Sequence, residues 1–240
     1  QPTVGIIATG DELVRPPEPL RTGLIYSSNT TALMGLVREA GAVPVDCGIA
    51  KDSVESTRAA FERASACDLI LSTGGVSVGD FDVVKQAMDH VGAEMAFWKV
   101  AMKPGKPLAL GIIAGTPAFG LPGNPVSAQV GFLQFVRPWL RCALGDPNPF
   151  LPVLRARLVA DYKKKPGRAE FIRVCITHDE QGPSVVPLSR QGSGNQASMP
   201  GSDGLLMMPA EATLLRAGDI VSVQLLTPGL PGQAEATFPW

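Results

Sequence analysis

Histidine is almost missing from this chain: His90 and His178 are the two among 240 residues, and they stand apart. Each reads as a surface or helix-end residue rather than a catalytic base. A Ser-His hydrolase would have to recruit one of them from the far end of a helix or from another domain, which disfavours covalent hydrolase chemistry. The four cysteines, Cys47, Cys67, Cys142 and Cys175, are widely spaced and form no C-x-x-C pair. That argues against a zinc site or a disulfide framework, offers no thiol nucleophile and fits a reducing, cytoplasmic setting. Net charge is also scarce, at -1. Nucleic acid and anionic membranes therefore have no electrostatic footing, and an anionic ligand must be held by local groups. Apolar runs are short. Gly131 to Val136 is among the longest and cannot span a bilayer. The first residues enter a strand-like segment directly, with no basic-then-apolar leader, and no internal repeat or low-complexity tract is found.

What the chain does have is apolar content, 45%, and a length that allows one large domain or two unequal ones. One stretch organises the rest. Asp68 to Leu71 is a short apolar run that reads as a buried strand, and it breaks into Ser72, Thr73, Gly74, Gly75, Ser77 and Gly79. Asp80-Phe81-Asp82 then opens a helical pattern over 83–90. A strand that feeds a glycine-rich loop and a helix N-terminus is an anion site in outline. Glycine permits close approach of the backbone, and the first helical N–H groups are free to face a ligand. The two aspartates call for more than a bare anion: a bridging divalent cation, or chemistry that moves protons. A tight turn with an acidic helix cap is the plainer alternative.

Around this stretch the pattern predicts an α/β domain over residues 1–146. Thr3 to Ala8, Val43 to Ile49 and Asp68 to Leu71 are strands, and helices over 30–40, 54–66 and 83–90 alternate with them. Ser28-Asn29 and Ser53 are cap candidates for the first two helices, and Gly41 is a C-terminal glycine for the first. That alternation implies a parallel sheet with helices on both faces. Further short strands follow over 95–102, 108–113 and 118–121. Pro122-Gly123-Asn124-Pro125 then starts a last helix, with Asn124 as its cap and Pro125 as its first residue. The proline-rich segment from Gly145 to Pro152 marks the boundary. Beyond it, short strands separated by glycine and proline predict a small all-β, barrel-like domain over 147–240.

In an open parallel sheet, ligands bind outside the carboxyl ends of the strands. The segments Thr9-Gly10-Asp11-Glu12, Lys51-Asp52-Ser53, 72–82 and Pro122-Gly123-Asn124-Pro125 all fall at such ends. Topology therefore gathers Glu12, Asp52, Asp80, Asp82, Asn124 and Ser127 on one rim. Lys103 and Lys106, on a proline-bounded loop, are expected nearby. Lysines, glycine amides and helix N-termini suit anionic groups, whereas carboxylates suit a cation, a base or a ring with N–H donors. A phosphorylated heterocycle with magnesium meets all of these demands. Taken singly, each residue has an ordinary alternative. Glu12 could pair with Arg15 or Arg21, Asp52 could be a turn aspartate, Asp80 and Asp82 could complement a helix dipole, and the lysines could be a solvated turn.

On these residues the chain resembles the MoeA family, which includes the gephyrin E domain. The matching motifs are Thr9-Gly10-Asp11-Glu12-Leu13, Ser72-Thr73-Gly74-Gly75-Val76-Ser77-Val78-Gly79, Lys103-Pro104-Gly105-Lys106-Pro107 and Leu121-Pro122-Gly123-Asn124-Pro125-Val126-Ser127, with Gln191-Gly192-Ser193 in the second half. The resemblance implies a molybdopterin molybdotransferase whose substrate is adenylylated molybdopterin. Molybdate would be inserted at the dithiolene and AMP released with help from Mg2+. It implies Asp82, Glu12 and Asp52 as the functional acids, with Glu12 and Asp82 as metal ligands. Ser77, Pro122 and Pro125 would shape the pterin pocket, and Lys103 and Lys106 would hold oxyanions. Two features depart from the family pattern. Val83 follows Asp82 where a tyrosine is usual. Full-length members also carry two N-terminal domains, which supply a dimerisation arm and part of the cleft, so a homodimer is implied when those domains are present. A non-catalytic binding module and a MogA-like adenylyltransferase are the competing readings. The β-domain and the Pro-Gly-Asn-Pro form argue against the latter.

Overall fold

The computed structural model describes residues 1–75 and 93–226. The helix expected over 83–90 lies outside them. The first domain is built on a six-stranded sheet. In chain order, β1 (Thr3–Thr9) is followed by the two-residue strands β2 (Leu13–Val14) and β3 (Ile25–Tyr26), then β4 (Val43–Ala50) and β5 (Leu69–Thr73). Next come β6 (Glu94–Lys99), the short β7 (Met102–Lys103), β8 (Pro107–Ile113) and β9 (Thr116–Leu121). The sheet order is β4-β1-β5-β9-β8-β6.

β4, β1, β5 and β9 are parallel, as the alternation of strands and helices predicts. β8 and β6 are not: β8 runs antiparallel to both β9 and β6. The cause is local. Only Ala114 and Gly115 join β8 to β9, and both have positive φ, 49° and 82°. A two-residue turn of that kind closes a hairpin and cannot make a parallel crossover.

Helices cover both faces of the sheet. Helix α1 (Ser28–Glu39) packs Leu33 and Val37 into one core with Val4, Ile6, Leu69, Leu71 and Phe119. Gly41, at φ +93°, ends it as expected. Helix α2 (Val54–Ala64) packs Ala60, Phe61 and Ala64 against Ile7 and Ile70 on the other face. Ser53 caps α2 by accepting a hydrogen bond from the Ser56 N–H at 3.2 Å. The last helix of the domain runs from Pro125 to Gly131, passes through a π-helical turn, Phe132–Val136, and continues over Arg137–Ala143.

The second domain comprises β10 (Val153–Leu158), β11 (Tyr162–Lys163), β12 (Ala169–Asp179), β13 (Gly182–Pro187), β14 (Gly204–Met208), β15 (Leu214–Leu215) and β16 (Ile220–Leu225). The pairings β12–β13, β13–β10, β10–β16, β16–β14 and β14–β12 close a ring around Leu158, Ile172, Val174, Leu206 and Val223. The barrel-like expectation therefore holds. One strand crosses the junction: β7 of the first domain pairs in parallel with β12. Beside it Met102, Val126, Val130, Phe171, Leu205 and Met207 form a shared interdomain core.

Candidate functional site

Four of the turns singled out in the sequence meet at the carboxyl end of the parallel strands. They enclose a cavity of about 540 Å3. Its wall includes Thr9 at the end of β1 with Gly10 and Glu12 after it, Asp52 after β4, Gly74 and Gly75 after β5, and Pro122, Gly123, Asn124 and Pro125 after β9. Ile25 and Tyr26 of β3 and Gly194 of the barrel domain also contribute. Ser72 and Ser127 are buried, each only 4% exposed, and neither lines the cavity. Ser77, Gly79, Asp80 and Asp82 lie outside the described residues.

The turns are tied to one another by hydrogen bonds. Asn29 Nδ2 donates to Thr73 Oγ1 at 2.9 Å and to the Gly123 carbonyl at 2.8 Å. Thr73 Oγ1 in turn donates to the Pro122 carbonyl at 3.1 Å. Asp11 and Asp52 clasp reciprocally: the Asp11 N–H donates to Asp52 Oδ2 at 3.3 Å, and the Asp52 N–H to Asp11 Oδ1 at 3.1 Å. Asn29 lies inside α1, whose cap position is Ser27, so it is not the cap residue its place in the sequence suggests. Asn124 occupies the expected cap position, but its side chain makes no capping bond. Its Nδ2 reaches Ser193 Oγ across the junction at 3.2 Å.

The glycines act differently from a simple anion cradle. The Gly10 N–H donates to the Ala50 carbonyl and the Gly74 N–H to the Leu121 carbonyl, each at 3.1 Å, so neither amide is available to a ligand. Their value is steric. A Cβ on Gly74, whose φ is +92°, would stand 2.5 Å from the Thr9 carbonyl oxygen, and one on Gly10 would stand 2.4 Å from Glu12 Oε2. The first contact is with backbone and cannot relax, so glycine is what lets the β5 turn touch the end of β1; the second is with a side-chain end that can turn away, and at Gly10 the positive φ of +147° is the firmer reason for glycine.

Charge in the cavity is one-sided. Among the described residues its wall carries Glu12 and Asp52 and no lysine or arginine. Arg15 pairs with Asp46 rather than Glu12. Lys103 lies elsewhere: its Nζ is 2.8 Å from Glu170 Oε1, and it lines a second cavity. Lys106 is exposed and lines neither cavity, although its neighbour Pro107 is in the first wall.

Arg173, on β12, is a residue that sequence patterning missed. It is fully buried, and burial pushes its guanidinium pKa down. Its Nη2 donates to the carbonyls of Arg190 and Gly192, in the loop that brings Gly194 to the cavity wall, while its Nε and Nη1 have no hydrogen-bond partner among the described residues. An arginine embedded in a β-strand pattern gives no local sign that it is buried.

Known proteins match this chain along both of its halves. A family profile described as "Probable molybdopterin binding domain" matches residues 5–142, and one described as "MoeA C-terminal region (domain IV)" matches 155–226. "Molybdopterin molybdenumtransferase 2" of Mycobacterium tuberculosis is 40% identical over 228 residues, covering 92% of this chain and 56% of that protein. "Molybdopterin molybdenumtransferase" of Bacillus subtilis is 34% identical over 227 residues, covering 94% of this chain and 53% of that protein. The chain thus spans about half the length of the curated relatives it matches. A solved MoeA structure from Pyrococcus horikoshii superposes with a TM-score of 0.82 at 32% identity, covering 95% of this chain and 55% of that one. Motifs, fold and both profile matches place this chain in the MoeA family of molybdopterin molybdotransferases, over that family's molybdopterin-binding and C-terminal domains.

Proposed function

We propose that the chain binds adenylylated molybdopterin in the 540 Å3 cavity and acts in molybdenum cofactor biosynthesis, inserting molybdate with release of AMP. One observation carries this reading: Glu12, Asp52, Gly74 and Asn124, from widely separated turns, share a single cavity. The names of the relatives, molybdopterin molybdenumtransferases, support the same ligand.

The acidic wall decides what else the site needs. A pyrophosphate linkage entering beside Glu12 and Asp52 meets like charge, and no basic side chain among the described wall residues offsets it. Glu12 and Asp52 offer only oxygen, the donor type that suits Mg2+. Glu12 and Asp82 are the proposed metal ligands, with Asp52 beside them. Held there, Mg2+ would supply positive charge to offset that of the phosphate oxygens during P–O cleavage.

The remaining roles fall to the chain's own residues. Asp82 and Asp52 are the proposed acids for the chemical step. Pro122 and Pro125, with Ser77, give the pterin a rigid wall. Lys106, next to Pro107 of the wall, is the proposed partner of the molybdate oxyanion, while Lys103 is engaged by Glu170. A homodimer, formed when the family's N-terminal domains are present, and a cytoplasmic location belong to the same proposal.

The test is AMP release from adenylylated molybdopterin supplied with molybdate and magnesium. Asp82→Asn and Glu12→Gln should still bind the ligand calorimetrically and lose release by roughly a hundredfold or more. Full turnover by either variant would remove that residue from the mechanism. Tight ligand binding with no release by the unaltered chain would make it a binding module, and ATP-dependent adenylylation of free molybdopterin would make it MogA-like.

A further inference from the structure

We propose that Tyr26 recognises the nucleobase of the ligand: its ring is the platform on which adenine stacks at the mouth of the 540 Å3 cavity. This role rests on the pterin-nucleotide reading of the cavity and names the contact made by the half of the ligand that leaves. Among the described residues, Tyr26 is the one aromatic side chain in the wall; no histidine, phenylalanine or tryptophan joins it there. A flat heterocycle entering this cavity has one π face available to it.

The ring is exposed and yet held. The chain leaves the cavity after Glu12 and returns to it at Ile25, where β3 pairs in parallel with β2. The Ile25 N–H donates to the Glu12 carbonyl at 2.8 Å, and the Ser27 N–H donates to the Val14 carbonyl at 3.0 Å. These bonds fix the backbone on either side of Tyr26. At the far end of the ring, the hydroxyl donates to the Glu18 carbonyl at 3.0 Å. Main chain and ring tip are both anchored, while Tyr26 stays 40% exposed and its neighbour Ile25 55%. A ring already fixed loses little freedom when a ligand covers it, which makes a rigid aromatic an effective contact. Its hydroxyl is engaged within the loop, so the ring offers the ligand its face.

Position selects which ring stacks there. The ligand carries two, pterin and adenine, joined through a pyrophosphate. The β2–β3 ribbon follows β1, and Pro122 and Pro125 follow β9; in the sheet β5 lies between those two strands. The two segments therefore leave the sheet about 10 Å apart, two strand spacings, with Gly74 and Gly75 between them. Two platforms with glycines between them suit two rings with a pyrophosphate between them. The proline wall is the pterin side of the proposed reading, which leaves Tyr26 to the adenine. Its exposure agrees with a base that must depart as AMP.

Titration calorimetry on the whole chain tests this with adenylylated molybdopterin, free molybdopterin and AMP as probes. Tyr26→Leu keeps an apolar side chain and removes the π face. It should weaken adenylylated molybdopterin and AMP by about fivefold or more and leave free molybdopterin unchanged. Tyr26→Phe keeps the face and should stay within about twofold of the unaltered chain for all three. Adenylylated molybdopterin bound equally well by Tyr26→Leu would overturn the role of Tyr26 and leave the pterin-nucleotide reading standing. Loss of free molybdopterin affinity in Tyr26→Leu would also overturn it, because the ring would then serve the pterin or the whole wall. No binding of adenylylated molybdopterin by the unaltered chain would remove both.

Discussion

Asn29 joins three segments through one amide group. Its Nδ2 reaches Thr73 on β5 and the Gly123 carbonyl after β9, and α1 carries it there. Asn29→Ala removes both bonds and leaves the Gly123 carbonyl without this donor, so it should cost about 1–3 kcal/mol in urea unfolding and weaken ligand binding in the cavity. An unchanged unfolding midpoint would show that water replaces the amide without loss. Asn29 also shows what a sequence hides. Asparagine near a helix start is read as a cap, because caps are local and leave a local mark. Its real partners are distant in the chain, and no spacing rule points to them. Glu12, Asp52 and Asn124 were legible for the opposite reason: each follows a strand in an open parallel sheet, where topology alone assigns the rim. The glycines were legible in position but not in role, since only coordinates reveal that the Gly10 and Gly74 amides are already bonded.

Among the elements, β1 and β5 are held together at their starts by Asp68, which precedes β5. Its Oδ2 accepts from the Thr3 N–H at 2.7 Å and from the Thr3 hydroxyl at 2.8 Å, and these bonds, the N–H first, hold its carboxyl below the usual range. Asp146 and Asp179 are lowered in the same sense, chiefly by the N–H groups of Asn148 and Gln181. A carboxyl with a depressed folded-state pKa contributes its stabilisation above its unfolded value, about 3.9, and loses it as pH falls through the folded value. The stability difference between the unaltered chain and Asp68→Asn should therefore be constant near neutrality and shrink below about pH 4. A difference that stays constant down to pH 2 would remove the charge from the explanation. Strands as elements were readable from short apolar runs bounded by glycine and proline. The antiparallel turn of β8 was not, because Ala114-Gly115 lacks the asparagine or aspartate that usually announces such a hairpin. Nor was the π-helical turn at Phe132–Val136 readable, since the apolar stripe through it continues at helical spacing.

At the scale of the whole molecule, the two folds are separately legible and the joint between them is not. The alternation of strands and helices predicts the sheet domain, and short punctuated strands predict the barrel. The joint depends on contacts between halves, such as β7 pairing with β12 and the Ser193 carbonyl accepting from the Val126 N–H at 3.0 Å. Its most specific feature is polar. Gln134, in the π-helical turn, and Gln224, on β16, are 6% and 2% exposed and exchange hydrogen bonds, 2.8 Å one way and 3.3 Å the other. Each amide is the other's partner, so truncating one strands its mate in an apolar setting. Gln134→Leu and Gln224→Leu should each cost about 1–3 kcal/mol, the desolvation penalty of an orphaned amide. The double variant orphans nothing and should cost clearly less than the sum of the two. Additive losses in a double-mutant cycle, followed by urea unfolding, would mean that the pair does not couple the domains. Because Gly194 and Asn124 reach the cavity from opposite sides of this joint, each single variant should also weaken binding of the proposed pterin-nucleotide ligand, and the double variant should recover part of that affinity.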